Sequence, residues 1–341
     1  MKSLHLLGAI ALFSTGLSLR SQDVAALAPY RPTKQVSGTI RSWGHGYLKS
    51  MMKLWEEGFK KYQPGIKFDD KLVSSASAMA GLYSERADLG VLAREITPPE
   101  IAAYEKVTRQ KITPVTVLTG SFGNQDKIMA LGIFVHKDNP IDHLTLRQVD
   151  AIFGAEHRRG AKENIRTWDQ LGLTGEWAKK PIKPYSGLAW EAPGYFFSQT
   201  VLKGSVLWNC DLQQFENNED DKQRYVDAYQ EALNTLGTNR YGIALAGAGY
   251  TNPEVKLVAL AVSDDGPYVA ATRENVANLS YPLARPVRFY IHNGAAIPAD
   301  PKVIEFLRYV LSREGQAQVA KEGDFMPLPA EVAAAELKKL P

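Results

Sequence analysis

From residue 36 onward, stretches patterned as strands alternate with stretches patterned as helices. That alternation commits the chain to mostly parallel sheets with helices on both faces. "VSGTIRSW" reads as a short strand. It is followed by "YLKSMMKLWEEGFKKY", where Leu48, Met51, Met52, Trp55, Phe59 and Tyr62 fall three or four residues apart on one apolar stripe. "IKFDDKLV" leads into the helix start "SSASAMAGLYS", and "ADLGVLA" leads into "TPPEIAAYEKV". There Thr97 is placed to cap a helix whose first turn tolerates Pro98 and Pro99. "KIMALGIFVHKDNP" is a longer apolar strand. "LTLRQVDAIFG" is a helix capped by Thr145, with Leu146, Val149, Ile152 and Phe153 inward. "RYGIALAGAGY", "VKLVALAV" and "PVRFYIHNG" are strand-like, and "DPKVIEFLRYVLSREGQAQVAKEG" is an amphipathic helix pair ending near a glycine. The chain's 341 residues are enough for two such lobes.

The N-terminus carries a separate signal. Met1-Lys2 precedes the apolar run "LHLLGAIALFSTGLSL", which Arg20 and Gln22 end before it is long enough to span a bilayer. "ALA" at 26–28 offers small residues at the −3 and −1 positions of a cleavage site, so residues 1–28 read as a secretory signal peptide and the chain as exported. The single cysteine, Cys210, excludes an internal disulfide and any cysteine-based metal cluster. With 40 basic and 37 acidic residues the net charge is only +3, and the basic residues are scattered, which gives no basis for a nucleic-acid partner.

In open α/β sheets ligands bind beyond the carboxyl ends of strands, where helices begin. Three such segments in the first half of the chain carry anion-binding chemistry: Ser42-Trp43-Gly44-His45-Gly46, Ser74-Ser75-Ala76-Ser77 and Ala93-Arg94-Glu95. Backbone N–H groups and hydroxyls at helix starts suit an oxyanion, and the Arg94 guanidinium suits two-point contact with one. The alternative is that the serines are ordinary caps and that Arg94 pairs with a surface acid. A fourth segment, "PYSGLAWEAPGYFF" at 184–197, has a Ser186-Gly187 turn, Trp190, Glu191 and Gly194 before an apolar helix. Catalytic signals are missing: there is no G-x-S-x-G, P-loop or H-E-x-x-H, and the six histidines show no metal-ligand spacing. No catalytic residue, metal or cofactor is expected.

The ordered motifs "KDNPIDHLTLRQVDAIFGA", "RYGIALAGAGY", "SYPLARPVRFYI" and "REGQAQVAKEGDFMPLP" resemble those of the phosphate-binding solute receptors of bacterial ABC importers, within the type II periplasmic binding-protein superfamily. The resemblance covers roughly residues 36–332. It implies an α/β fold of two lobes joined by a hinge, with 36–135 plus 256–341 as lobe one and 136–255 as lobe two. It further implies a periplasmic receptor that is not an enzyme, closes over phosphate or a related anion and docks on a membrane permease. The positions matching the family's ligand contacts are Ser42 and Trp43, Ser75 with neighbouring Ala76 and Ser77, and Arg94; the expected ligand-binding set adds Gly44, Ser74 and, in lobe two, Ser186, Gly187, Glu191 and Gly194. In lobe two the family places Arg and Ser-Gly-Thr where this chain has Gly187 and Ala192-Pro193-Gly194, with Glu191 beside them. Those departures open a second expectation: the same fold reused for another ligand, one with a cationic or aromatic part, or for a protein partner. A phosphatase-like hydrolase is the third and weakest reading.

Overall fold

The apolar stripe read at 48–59 does form one face of a helix, with Met51, Met52, Trp55 and Phe59 fully buried. Tyr62, the last residue of that stripe, is instead partly exposed and meets Tyr30 and Tyr309 edge-on or tilted. The computed structural model describes residues 24–219 and 223–341. Most of the expected signal peptide lies outside the described residues.

Strands are β1 (Gly38–Gly44), β2 (Ile66–Leu72), β3 (Leu89–Val91), β4 (Thr113–Thr119), β5 (Leu131–His136), β6 (His143–Thr145), β7 (Lys183–Gly187), β8 (Gln213–Phe215), β9 (Asn218–Glu219), β10 (Tyr225–Val226), β11 (Gly242–Gly247), β12 (Val255–Leu257), β13 (Ala259–Ala261) and β14 (Pro286–Ile291). Helices are α1 (Lys49–Lys60), α2 (Ser75–Tyr83), α3 (Pro98–Thr108), α4 (Leu146–Phe153), α5 (Ala192–Thr200), α6 (Ala228–Thr238), α7 (Arg273–Ala277), α8 (Pro301–Val310), α9 (Arg313–Glu322) and α10 (Ala330–Leu337).

One five-stranded sheet has the order β2-β1-β3-β14-β4 and a second has the order β12-β5-β11-β7-β8. Each is mixed. β1 runs parallel to β2 and β3, and β7 parallel to β8 and β11. β14 is antiparallel to β3 and β4, and β5 to β11 and β12. β14 and β5 are each the first strand of their sheet after a crossing between lobes, so they enter against the direction of their neighbours. Two large cores match the two sheets. Trp55, Phe59, Phe289 and Phe306 lie in one, and Phe153, Phe197, Trp168 and Tyr229 lie in the other.

The crossings run side by side. The Gly120 N–H donates to the Arg285 carbonyl at 2.9 Å and the Leu131 N–H to the Leu283 carbonyl at 3.1 Å. This shifts both boundaries from those expected. All of β5 belongs to the second sheet, so residues 131–135 leave lobe one. Residues 256–284 also leave it: β12 pairs with β5, β13 pairs with β6, and Val258, Leu260, Val276, Tyr281 and Leu283 fill the second core. The apolar alternation of "VKLVALAV" defines a strand, but it carries no information on which sheet will pair with it.

Residues 24–30 bear on the expected cleavage site. Val24, Leu27 and Tyr30 are buried in the lobe-one core. The Ala28 carbonyl accepts from the Arg313 N–H at 2.9 Å, and the Tyr30 hydroxyl donates to Glu305 at 2.7 Å. A cut after Ala28 would remove Val24 and Leu27 from this core.

Candidate functional site

The lobe-one segments chosen from sequence meet at one place. β1 and β3 end side by side, with Gly44 opposite Val91. A β-carbon at Gly44 would stand 1.8 Å from the Val91 carbonyl oxygen, so only glycine permits this approach. β3 runs on to Ala93 and Arg94, and the Ala93 N–H donates to Ser75 Oγ at 3.0 Å. That bond ties the start of α2 to the end of β3. His45 lies near Arg94: burial, followed by the Arg94 charge, lowers its pKa. Its Nδ1 accepts from the Tyr47 N–H, which leaves the proton on Nε2.

The hydroxyls at α2 are partly committed. Ser74 caps the helix by accepting from the Ala76 N–H at 3.3 Å, and Ser77 Oγ donates back to the Ser74 carbonyl at 2.6 Å. Ser74 and Ser75 therefore keep an O–H to donate outward, whereas Ser77 has spent its own. Arg94 holds both oxygens of Glu100 at 2.9 and 2.8 Å and donates to the Glu95 carbonyl. Burial acts to raise the Glu100 carboxyl, but Arg94 and the Thr97 N–H outweigh it and hold the group below its ordinary value. Glu100, the third residue of α3, also closes the capping box begun by Thr97. Ser42 ends with its Oγ buried and without a partner among the described residues. The Trp43 indole packs over Gly81 of α2, and the Lys71 ammonium sits 5.1 Å from its ring. Tyr185, one residue before Ser186, is buried, and its hydroxyl accepts from Asn239.

Lobe two presents the start of α5 to this cradle. The Tyr195 hydroxyl, in the first turn of α5, reaches the Ile96 carbonyl at 3.4 Å. Gly194 is packed so closely that a β-carbon would meet the Ala189 carbonyl oxygen at 2.5 Å. Ser186, at the end of β7, is buried with an unpartnered Oγ, and Gly187 lies flat against the Tyr229 ring. Glu191 is the residue before α5, and its side chain makes no capping bond. Burial, then Asp227 and Glu216, push its carboxyl above the ordinary range. Trp190 beside it is 76% exposed at the rim.

Sequence reasoning missed the groups that join the lobes. Arg285, only 2% exposed, donates to both oxygens of Glu95 at 3.3 and 3.1 Å and lies 5.0 Å over the Phe196 ring of α5. Gln125 donates to the Tyr225 hydroxyl at 2.7 Å, and Tyr47 feels the charges of Asp126 and Glu191. The "YPLAR" motif contains Arg285, and a lone arginine inside an apolar run was the available sign of a buried ion pair. Among the described residues no group of His, Cys, Asp and Glu is placed to hold a metal ion.

Two lobes, a double crossing and a cleft built from strand ends and helix starts define a hinged binding protein. A family profile described as a PBP superfamily domain matches residues 30–314, and the chain belongs to that superfamily, in its PstS-like branch. It is 35% identical over 344 aligned positions to the phosphate-binding protein PstS of Pseudomonas aeruginosa, covering 100% of this chain and 99% of that protein. Two solved structures share the fold. PstS of Borrelia burgdorferi has a TM-score of 0.59 at 15% identity, over 86% of this chain and 99% of the other. An ABC-type phosphate transport receptor of Vibrio cholerae has a TM-score of 0.54 at 18% identity, over 85% and 99%.

Proposed function

We propose that this chain is an exported solute receptor that holds phosphate or a closely related oxyanion between its lobes and hands it to the permease of an ABC importer. The observation that carries this reading is the meeting of three lobe-one segments at the ends of β1 and β3, fastened by the Ser75–Ala93 bond. The start of α2 offers its helix dipole, Ser74 and Ser75 offer O–H donors, and Arg94, ion-paired with Glu100, borders them. The full-length relative named as a phosphate-binding protein supports the same ligand class. The receptor binds without transforming its ligand; closure of the lobes desolvates the anion and creates the surface that a permease reads. Export to the periplasm fits this role, with cleavage ahead of Val24 so that the packed residues 24–30 remain.

A second reading keeps the fold but drops tight phosphate binding. It is favoured by Glu191 at the start of α5, where a carboxylate opposes a phosphate dianion. Titration calorimetry of the mature chain with phosphate separates the two. One site per chain supports the first reading; no heat at micromolar protein supports the second.

A further inference from the structure

Each residue of the segment Ala93-Arg94-Glu95-Ile96, between β3 and α3, is tied to a different part of the molecule. The Ala93 N–H donates to Ser75 Oγ at 3.0 Å, at the start of α2. Arg94 is ion-paired with Glu100 of α3. Glu95 accepts from Arg285 at 3.3 and 3.1 Å. The Ile96 carbonyl is reached by the Tyr195 hydroxyl of α5 at 3.4 Å. The segment therefore joins the anion cradle at one end to lobe two at the other.

Strand register sorts these ties by lobe. β14 runs antiparallel to β3, with Phe289 opposite Val91 and Tyr290 opposite Gly90. Continued past the last pair, that register sets Arg285 opposite Glu95. The ion pair thus lies within lobe one, at the second crossing, where the Arg285 carbonyl also accepts from the Gly120 N–H. Tyr195 and Phe196 are on α5, and Phe196 is part of the lobe-two core. Two contacts therefore pass from lobe to lobe: Tyr195 to Ile96, and the Phe196 ring to the Arg285 guanidinium at 5.0 Å. Pairing through two nitrogens fixes the guanidinium plane, and a fixed plane offers a flat cationic face to an aromatic ring. A rotation about the crossings would keep the Glu95–Arg285 pair and break both α5 contacts.

Resting on the oxyanion reading above, we propose that Arg285 is a positioning residue for phosphate capture: paired with Glu95, it is the seat on which α5 settles when the lobes close. Arg285 acts through α5 and does not touch the anion. An anion beside Arg94 steadies the segment that carries Glu95, and so steadies the seat. A seated α5 holds the lobe-two wall over the anion and slows its escape.

Stopped-flow phosphate release, with small-angle scattering of the free and loaded chain, tests this. Phe196→Leu removes the aromatic face and leaves the ion pair; it should speed release about tenfold. Its association rate should change little, because loss of a closed-state contact acts on escape. Arg285→Lys keeps a charge for Glu95 but loses the planar face, and should behave the same way. Tyr195→Phe removes only a hydroxyl and should speed release about threefold. The loaded Phe196→Leu chain should also be less compact than the loaded parent. A residue that only held the fold would lower the denaturation midpoint and leave release unchanged. Release as slow as the parent's in Phe196→Leu and Tyr195→Phe would overturn the proposal while leaving the oxyanion reading in place. Should Phe196→Leu fail to fold, Tyr195→Phe decides alone. Absence of phosphate binding by the parent chain would overturn both.

Discussion

Arg285 lies between the lobes with a buried guanidinium, and its carboxylate partner sits on the segment that also carries Arg94. Arg285→Ala would strand the Glu95 charge. We expect a loss of about 3 kcal/mol, near the low end for a broken buried pair because Glu95 keeps some exposure. Urea denaturation measures it, and a loss below ~1 kcal/mol would remove Arg285 from the clamp. A second charged residue predicts a pH effect. One carboxylate oxygen of Glu56 is buried without a partner, and burial, then the Asp70 hydrogen bond and charge, push its pKa up to about 8. A carboxyl raised in the folded state keeps a proton that the unfolded chain gives up. Stability therefore falls as pH rises from the ordinary carboxylate range through about 8. Glu56→Gln should show a smaller loss between pH 5 and 9 in urea midpoints; identical slopes would contradict the assignment. Arg94 was legible as a cationic candidate, and so was the alternative that it pairs with an acid. The sequence also held the deciding partner, since Thr97-x-x-Glu100 is a capping box that brings a carboxylate within reach of Arg94.

Among the elements, α5 depends most on a single small residue. Gly194 sits against the Leu188 and Ala189 carbonyls, with no room for a β-carbon. Gly194→Ala should push the first turn of α5 away from β7 and cost about 1–3 kcal/mol, seen as a lower denaturation midpoint. A variant as stable as the parent would show that this turn yields freely. The helices themselves were readable from periodicity and caps: α1 by its stripe, α3 and α4 by Thr97 and Thr145, and α9 by Gly323 in the left-handed region at φ 93°. Sheet membership was not readable. β12 and β13 have ordinary strand patterns, and their partners β5 and β6 lie more than a hundred residues earlier in the chain. Pairing over that distance is decided by the whole core rather than by the local pattern. The aromatic residues illustrate the same limit. The Trp43 ring packs on Gly81 of α2 and the Tyr185 hydroxyl accepts from Asn239, contacts that no local pattern announces.

The two lobes, their double crossing and the cleft between them act as one device, and the N-terminal segment is part of it. Val24 and Leu27 are buried in the lobe-one core, so a chain beginning at Pro29 should be less stable than one beginning at Val24 by about 2–4 kcal/mol. Thermal denaturation of the two forms checks this, and sequencing the exported protein's N-terminus shows which form occurs; equal midpoints would free residues 24–28 to be signal peptide. The fold class was legible because strand and helix patterns alternate along the chain, and strand ends followed by helix starts are what single out the lobe-one segments as the expected site. The acidic character of the opposite wall emerged only when Glu191 and Asp227, more than thirty residues apart in sequence, were seen together. The central claim is that lobe one holds an oxyanion through the start of α2 and Arg94. Its most direct test is calorimetric titration of the mature chain and of Arg94→Ala with phosphate. The account predicts one site per chain and an affinity at least tenfold weaker in the variant; equal affinity in the two proteins would contradict it.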